Sequence, residues 1–423
     1  MRKLGLVVIT LVVSAIANGQ VGDAVYTIAQ SSETSFLSTI ETLVAIESGS
    51  RDIEGLSEVA TLIADRLRAL GGDVDVLPPE LGADSPDIDH DTVGSMVRAR
   101  FRGTGSTDVL LIVHMDTVYQ VGDAEEQPFR IVDDRAYGLG IADAKQGIAT
   151  ILHTIEILDT LEFREYGNLT VLINGDEEIG SPGSKAEIER LGREHDVVFS
   201  YERAPREAVV LATSGIGRIT LRVVGRASHA GSAPDEGRNA LYELVHQISR
   251  MWDLSQPDIG LKVNWTLAQA GSVSNAIPAY AEASADVRIV RMSDWDDVVE
   301  QVRELAEESL IPDTEVEVVA NFRRPPLEVN NASRLLAAHI AGIYAEIDRS
   351  LDIQSGPVGG GTDAAYAGLS SDAAVIEGMG AVGFGAHSLD AEYILIESIA
   401  PTLYLTTRSI MDVSRGIVPG LGD

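Results

Sequence analysis

The sequence predicts an α/β catalytic domain with a smaller α+β domain inserted into it. Before about residue 212, short strands that are apolar throughout alternate with helices, as in a sheet covered by helices on both faces. From about residue 213 to 324 the order becomes strand, helix, strand, strand, helix, strand, which is the ferredoxin-like arrangement. After Pro325 and Pro326 the first pattern returns. An insertion is the simplest organisation that gives this order.

The first domain is predicted from apolar periodicity and from short apolar runs. One helix is expected over about residues 35–70, ahead of Gly71 and Gly72. Further helices are expected over 145–161 and about 184–191, and buried strands over 109–113, 168–174 and 197–201.

The inserted domain is predicted from strands in which polar and apolar residues alternate, such as Thr220 to Val224. Alternation of this kind suits a sheet that is covered on one side only. The expected strands are 217–225, 262–270, 281–290 and 315–322, and the expected helices are 237–251 and 294–310.

The N-terminal segment has the features of an export signal. A basic start, Met1-Arg2-Lys3, precedes an apolar run from Leu4 to Val13 and a small-x-small site at Ala15 to Ala17. We therefore expect residues 1–21 to be a signal peptide and the mature protein to be periplasmic or secreted. An uncleaved anchor is the alternative. The predicted catalytic domain then comprises 22–212 and 325–423, with the inserted domain at 213–324.

Charge and cysteine content narrow the possible functions. The formal net charge is −33, and such a field repels nucleic acid, which excludes it as a partner. An anionic substrate would need local arginines. Because the chain has no cysteine, metal ligands are restricted to His, Asp and Glu, which suits a hydrolytic site better than a structural zinc knot. No later run of apolar residues is long enough for stable membrane insertion.

Acidic and histidine side chains follow the buried strands at the points where they end. Ligands of α/β sheets bind at these strand ends. Taken singly, each side chain could be a helix cap or a solvated loop residue. From the residues alone, a hydrolytic metal site and unrelated polar groups both remain open. The residues concerned are His114, Asp116, Asp143, Glu177, Glu178, Glu202 and His387.

Motifs spread over most of the chain resemble those of the zinc-dependent exopeptidases that include aminoacylases and bacterial glutamate carboxypeptidases of the carboxypeptidase G type. They include "HMDTVY", "GIADAKQG", "DEEIGSPGS", "GRASHAGSAP", "ADVRIVR" and "GFGAHS". The segments "VNWTLAQAGSVSN" and "GGGTDAAYA" resemble the glutamate carboxypeptidase branch in particular. The resemblance implies a two-zinc catalytic domain with an inserted lid and dimerisation domain, and a homodimer.

The resemblance also implies two Zn²⁺ ions per chain and their ligands. Asp143 would bridge the ions, His114 and Glu202 would complete one site, and Glu178 and His387 would complete the other. One departure concerns Ala144, because relatives usually have a second aspartate there. The family often has a cis peptide at that bond.

Three further residues receive catalytic roles from the resemblance. Glu177 would be the general base that takes a proton from a zinc-bridging water. Asp116 would hydrogen-bond the ring of His114 and fix its tautomer. His229, in the inserted domain, would help to stabilise the oxyanion that forms during the reaction.

Substrate contacts are implied in the same way. Arg288 and Asn275 would bind the free α-carboxylate, since arginine suits a bidentate clamp. Arg324 is a candidate for the same anionic pocket or for a glutamate side chain, and a hinge or surface ion pair is its alternative. Gly360 lies in the segment 359–363, whose glycines allow the backbone to approach a ligand closely.

The implied function is a zinc metallo-carboxypeptidase that releases a C-terminal amino acid, glutamate in the leading interpretation, from folates, short peptides or N-acyl amino acids. An N-acyl amino acid amidohydrolase or dipeptidase of other specificity is the second interpretation. A non-catalytic periplasmic protein that binds zinc or peptide is the third. Glu177 argues against the third, because a binding protein needs no general base.

Overall fold

A computed structural model describes residues 22–82, 88–204 and 206–421, and the expected signal peptide at 1–21 lies outside them. The chain forms two compact units. Unit 1 contains the residues up to Leu211, Val329–Ser355 and those from Tyr366 onward, and unit 2 contains Ala212–Glu328 and Gly356–Ala365. Among the described residues, no helix combines the length and apolar character needed to cross a membrane.

The secondary-structure elements are numbered in chain order. The strands are β1 (Asp73–Leu77), β2 (Met96–Arg102), β3 (Val109–His114), β4 (Arg130–Val132), β5 (Arg135–Tyr137), β6 (Asn168–Asn174), β7 (Val197–Ser200), β8 (Ala208–Val210), β9 (Gly215–Val224), β10 (Ser228–His229), β11 (Lys262–Ala270), β12 (Ala276–Ile277), β13 (Tyr280–Ile289), β14 (Glu315–Arg324), β15 (Asp352–Gln354), β16 (Ala374–Ile376), β17 (Gly383–Phe384) and β18 (Tyr393–Leu395). The helices are α1 (Glu33–Ala45), α2 (Ile53–Ala69), α3 (Asp123–Glu126), α4 (Gln146–Thr160), α5 (Lys185–Glu194), α6 (Ala240–Met251), α7 (Met292–Ala306), α8 (Asn331–Ala345), α9 (Ala364–Gly368) and α10 (Ile399–Ser414).

Unit 1 is built on a six-stranded sheet of order β1-β2-β6-β3-β7-β16. Strand β3 is parallel to both β6 and β7, and all six of its residues are buried. Apolar residues on both faces of a strand are what helices packed on both sides of a sheet require. Because β3, β6 and β7 are parallel, the loops that follow them leave the same edge of the sheet. His114 pairs with Asn174 at that edge.

The single helix predicted for residues 35–70 is wrong. The structure has two helices, α1 and α2, separated by residues 46–52. Asp52 begins α2 by accepting a hydrogen bond from the Gly55 amide. In the break, the Ser50 amide donates to the Thr117 carbonyl, and the Thr117 amide donates to the Ser48 carbonyl. The segment between the two helices is thus hydrogen-bonded to the loop that follows β3.

Unit 2 contains a four-stranded antiparallel sheet of order β11-β13-β9-β14. Its elements follow one another in the predicted ferredoxin-like order. Ile219, Leu221 and Val223 alternate along β9 and face a core that also contains residues of α6 and α7. The unit also includes Gly356–Ala365, a segment that the predicted range 213–324 does not contain.

Two glycines allow a matched test of the packing in this fold. A Cβ added at Gly217 in β9 would lie 2.1 Å from the Trp295 ring, whereas one added at Gly342 in α8 meets nothing within 4 Å. We expect Gly217→Ala to lower the free energy of unfolding by about 1–3 kcal/mol through overpacking. Gly342→Ala should raise it by about 0.5–1 kcal/mol, because it removes a helical glycine. Denaturant unfolding measures both, and equal effects of the two variants would contradict the packing described here.

Candidate metal centre

Three of the predicted ligands meet at the end of β3. The His114 Nε2 atom lies 3.2 Å from Asp143 Oδ1 and 3.3 Å from Glu202 Oε1. The imidazole is almost wholly buried. Asp143 lies just before α4, in a turn where the Asp143–Ala144 peptide bond is cis. Glu202 is the second residue after the end of β7. These three side chains form the first candidate metal position.

A second group shares Asp143 with the first. The His387 Nε2 atom lies 3.4 Å from Asp143 Oδ2 and 3.3 Å from Glu178 Oε2. The two oxygens of one carboxylate therefore face two different imidazoles. This is the arrangement of a bridging ligand between two cations, and it unites the five predicted ligands in unit 1.

The chemistry of the donor set fits divalent cations. The Nε2 atoms of His114 and His387 each face two carboxylate oxygens at 3.2–3.4 Å. A neutral imidazole has only one N–H to donate, so it cannot satisfy both oxygens. Ligands bound tetrahedrally at about 2.1 Å from a zinc ion lie roughly 3.4 Å apart. Nitrogen and carboxylate oxygen are also ligands that zinc accepts in hydrolytic sites. The residues present therefore match such a centre.

Asp116 forms hydrogen bonds that position these ligands. The His114 Nδ1 atom donates to the main-chain carbonyl of Asp116 at 2.9 Å, and a carboxylate oxygen of Asp116 lies 3.4 Å away. The carboxylate accepts hydrogen bonds from the Glu177 amide, the Glu178 amide and the Ser50 hydroxyl. Asp116 therefore fixes the tautomer of His114 mainly through its backbone. Its side chain holds the main chain of the two glutamates.

Protons compete strongly for the two imidazoles. Burial disfavours the charged form of His114, but Glu202, Asp116 and Asp143 outweigh it and raise the pKa of this side chain. Hydrogen bonds with Asp143 and Glu178 raise the pKa of His387 to about 10. Burial also raises the pKa of Glu202 well above its usual value. A cation must therefore displace protons to bind here.

The predicted general base lies beside this centre. Glu177 is 8% exposed and begins the short 3₁₀ turn Glu177–Ile179. Next to it, Glu178 and Ile179 border a cavity of about 630 Å³. This volume lies within the range of small-molecule sites. The rest of the lining consists of Gly49, Ser50, Arg51, Asp52 and residues 117–121.

In unit 2, two of the predicted residues occur side by side. His229 pairs with Ala276 in the β10–β12 ribbon, and the Ala230 amide donates to the Asn275 carbonyl. The His229 Nδ1 atom accepts hydrogen bonds from the amides of Gly231 and Ser232, both at 3.1 Å. The proton of the neutral ring is therefore on Nε2. This exposed ring can act as a hydrogen-bond donor.

The two predicted arginines also lie close together in unit 2. Arg288 in β13 and Arg324 in β14 both pair with Ile216 of the intervening strand β9. Directly paired residues point to the same face of a sheet, so the two arginines share a face. Arg324 is 5% exposed, which excludes the surface ion pair considered as its alternative role.

The Gly359–Asp363 loop contacts both arginines. The Gly359 carbonyl accepts a hydrogen bond from Arg288, and a Cβ at Gly361 would lie 2.6 Å from Arg324 Cδ. Asp286 accepts two further hydrogen bonds from Arg288. Three of the five guanidinium N–H groups are thus used, and one remains on each terminal nitrogen. Gly360 lies between the two contacting glycines, and a Cβ there would meet nothing within 4 Å.

Three further residues, not predicted from the sequence, form hydrogen bonds around the candidate metal ligands. Ser50 donates to the Asp116 carboxylate, and Tyr119 and Glu392 contact the loops that carry Asp143 and His387. Tyr119 lies within the motif "HMDTVY", whereas Glu392 lies four residues beyond the end of the motif "GFGAHS". Position in a motif was therefore a signal for Tyr119 only.

Comparison with known proteins agrees with this geometry. A profile of peptidase family M20/M25/M40 matches residues 110–412. Carboxypeptidase G2 of Pseudomonas sp. strain RS-16 is 38% identical over 416 residues, which cover 98% of this chain and 98% of that protein.

Solved structures share the fold. Aminopeptidase PepT of Bacillus cereus superposes with a TM-score of 0.75 at 21% identity, covering 90% of this chain and 99% of that one. The YXEP protein of Bacillus subtilis, described as a dinuclear metal-binding peptidase, superposes with a TM-score of 0.67 at 16% identity, covering 91% of this chain and 99% of that one.

Competition between protons and cations predicts a pH dependence of metal binding. His387 is protonated below its pKa of about 10, and Nε2 must lose that proton to bind a cation. The apparent metal affinity should therefore rise with pH, by about tenfold per pH unit for each proton displaced. Zinc titrations against a competing chelator across neutral pH measure the slope. In His387→Asn, which has no titrating ring, both affinity and slope should fall. A wild-type affinity independent of pH would contradict the competition.

Proposed function

This chain belongs to peptidase family M20/M25/M40, a family of metal-dependent peptidases, and we propose that it is a two-zinc carboxypeptidase that releases C-terminal glutamate. The observation that supports two ions is the Asp143 carboxylate, whose oxygens face His114 and His387 separately. The observation that supports hydrolysis is Glu177, a carboxylate at the edge of this centre.

The reaction follows from the positions of these side chains. When bound, the zinc ions supply Lewis acidity and a nucleophilic water at neutral pH. Glu177 accepts a proton from the attacking water and passes it to the nitrogen of the leaving amine. The new C–O bond forms first and gives an oxyanion, and the C–N bond of the amide then breaks to give a carboxylate and a free amino acid. His229, with its proton on Nε2, is the proposed donor to the oxyanion.

The paired arginines of unit 2 support an acidic leaving amino acid. Arg288 retains an N–H on each terminal nitrogen and can bind the α-carboxylate as a fork, with Asn275 as a further polar contact. Arg324 lies on the same face of the sheet. Two arginines on one face of the sheet match the two carboxylates of glutamate, one on the main chain and one on the side chain.

The cavity next to Glu178 is the proposed place for the acyl half of the substrate. Arg51 lines it, and no described residue makes a hydrogen bond or ion pair with its guanidinium. Val118 and Val121 add exposed apolar surface to the same lining. A flat aromatic or apolar acyl group with polar edges, as in a folate, fits these properties. The proposal covers folates, short peptides and N-acyl glutamates.

Assembly and location are further parts of the proposal. Leu241, Tyr242, Val245 and Trp252 form an exposed apolar patch on and just after α6. The edge strand β11 lies in the same unit, with Leu267 61% exposed. Such a surface supports a homodimer formed through unit 2. The basic, then apolar, then small-x-small N-terminal sequence supports export.

A matched substrate panel tests the proposed activity. The zinc-loaded enzyme is given methotrexate, an N-acyl glutamate, the aspartate and alanine analogues, and a glutamate whose α-carboxylate is an amide. We expect release of glutamate that stops on addition of a chelator, and at least a hundredfold loss of kcat/KM with the amide, about 2.7 kcal/mol of transition-state stabilisation. Preference for another amino acid would contradict glutamate and retain the zinc mechanism. No turnover of any compound would favour the non-catalytic binding protein.

Substitution of the general base belongs to the same test. Glu177→Gln should lower kcat by at least a thousandfold while the zinc content stays that of the wild type. Glu189→Gln, a glutamate on α5 away from the centre, is the control and should leave kcat unchanged. Activity that survives in Glu177→Gln would refute the assigned base.

A single substitution that introduces a charge tests the proposed dimer. Val245, 54% exposed in the apolar patch on α6, is replaced by aspartate, which is costly to bury in an interface. We expect Val245→Asp to sediment as a monomer at concentrations where the wild type sediments as a dimer. Val132→Asp, at a 48% exposed valine of unit 1, is the control. A wild-type monomer would contradict the proposed assembly.

A further inference from the structure

Three loops of unit 1 carry groups of the candidate metal centre, and they meet at two side chains that have no assigned role. The loop after β3 carries Tyr119, the turn before α4 carries Asp143, and the loop between β17 and β18 carries His387 and Glu392. Glu392 has no exposed surface, and its two carboxylate oxygens have different partners. All of these contacts lie within unit 1.

One oxygen of Glu392 holds the backbone of the bridging ligand. Its Oε1 atom accepts hydrogen bonds from the Ala142 amide at 2.8 Å and from the Asp143 amide at 3.0 Å. The backbone position of Asp143 sets where its carboxylate can lie. A change in these two bonds must therefore alter the bridge.

The other oxygen joins the remaining loops. Its Oε2 atom accepts from the Gly140 amide at 2.9 Å and from the Tyr119 hydroxyl at 2.5 Å. The same hydroxyl lies 3.1 Å from the Ser388 carbonyl, next to His387. His387 itself has a left-handed backbone, with a φ of 64°. A non-glycine residue keeps such a conformation only where the surrounding structure imposes it.

We propose that Glu392 and Tyr119 are positioning residues that fix the separation of the two metal positions by tying the Asp143 turn and the His387 loop to the loop after β3. The inference rests on the proposed two-metal centre. Neither side chain is proposed to touch a metal, and Glu392 does not line the cavity proposed for the substrate. Their effect is transmitted through the ligands Asp143 and His387, as for other groups that orient metal ligands through hydrogen bonds.

The geometry also predicts how substitutions act. In Glu392→Gln one of the two oxygens becomes an NH₂ group, which cannot accept from the backbone amides that Glu392 satisfies. At least one buried N–H loses its partner and the Asp143 turn must shift. Tyr119→Phe keeps the ring and removes only the link to Glu392 and Ser388. Its effect should therefore be smaller.

The test is zinc binding by the full chain, measured by competition with a chromophoric chelator and by metal analysis. Glu392→Gln should bind zinc about 10–100-fold more weakly than the wild type, and Tyr119→Phe should lose less. At saturating zinc, the KM of Glu392→Gln should stay near the wild-type value, because Glu392 does not line the cavity proposed for the substrate, while kcat remains reduced.

The control variant is Glu243→Gln. Glu243 in α6 of unit 2 is equally buried and also accepts a backbone amide, from Ile311 at 2.7 Å. It should lose thermal stability with unchanged zinc affinity. If Glu392→Gln behaves in the same way, the carboxylate is structural only and the inference is overturned. If Glu392→Gln fails to fold, unchanged zinc affinity in Tyr119→Phe overturns it.

These outcomes are separate from those of the substrate panel. A wild-type chain that binds no zinc would refute the two-metal proposal and this inference with it. A wild-type chain that binds two zinc ions but releases another amino acid would refute glutamate specificity only. The zinc affinities of the variants retain their meaning in that case.

Discussion

The constraint on which this structure depends is the crowding of acidic groups. Asp143 shares one group with Glu202 and another with Glu178, and the ligand atoms of each group lie within 4.8 Å of one another. Carboxylates this close repel one another, and the repulsion grows where water is excluded. They can be held together only if rigid elements fix the chain on which each is mounted. The parallel strands β3, β6 and β7 provide this by ending at a single edge of the sheet.

Further carboxylates hold the backbone of the loops that carry the candidate metal ligands. Asp116 and Glu392 are both fully buried, and both accept main-chain amides of the loops that bear the ligands. A buried carboxylate that accepts several N–H bonds is a stable anchor, because charge-assisted hydrogen bonds offset much of its desolvation. Negative charge thus occurs in two layers, the carboxylates of the candidate metal ligands and the carboxylates that anchor their backbone. Such a concentration of carboxylates favours a bound cation.

The sequence was most informative where local pattern and three-dimensional position coincide. The apolar runs of β3, β6 and β7 predicted both the sheet and the edge at which His114, Glu177 and Glu202 lie. The ferredoxin-like order of the inserted region is confirmed for the same reason. The roles of individual residues came from family resemblance, because a polar residue after a strand has several ordinary explanations.

Most of the failures share a physical cause, which is that long-range contacts leave no local pattern. The break at residues 46–52 is held by hydrogen bonds with Thr117, far along the chain, but Gly49 and the capping Asp52 also marked it locally, and that signal was missed. Glu392 is one acid among 65 aspartates and glutamates, and only the fold shows that three backbone amides converge on it. The segment Gly356–Ala365 belongs to unit 2 through its contacts and not through its composition.

That last segment has a consequence for anyone who would exchange specificity between relatives. Ala212–Glu328 is one continuous segment with its own hydrophobic core, so it could be taken for a unit that can be exchanged by itself. Yet Gly359 and Gly361, which contact Arg288 and Arg324, arrive from a stretch encoded almost thirty residues later. A chimera that exchanges only Ala212–Glu328 would combine the arginines of one parent with the glycine loop of the other. Both segments must therefore be transferred together to keep the contacts between the arginines and the glycine loop.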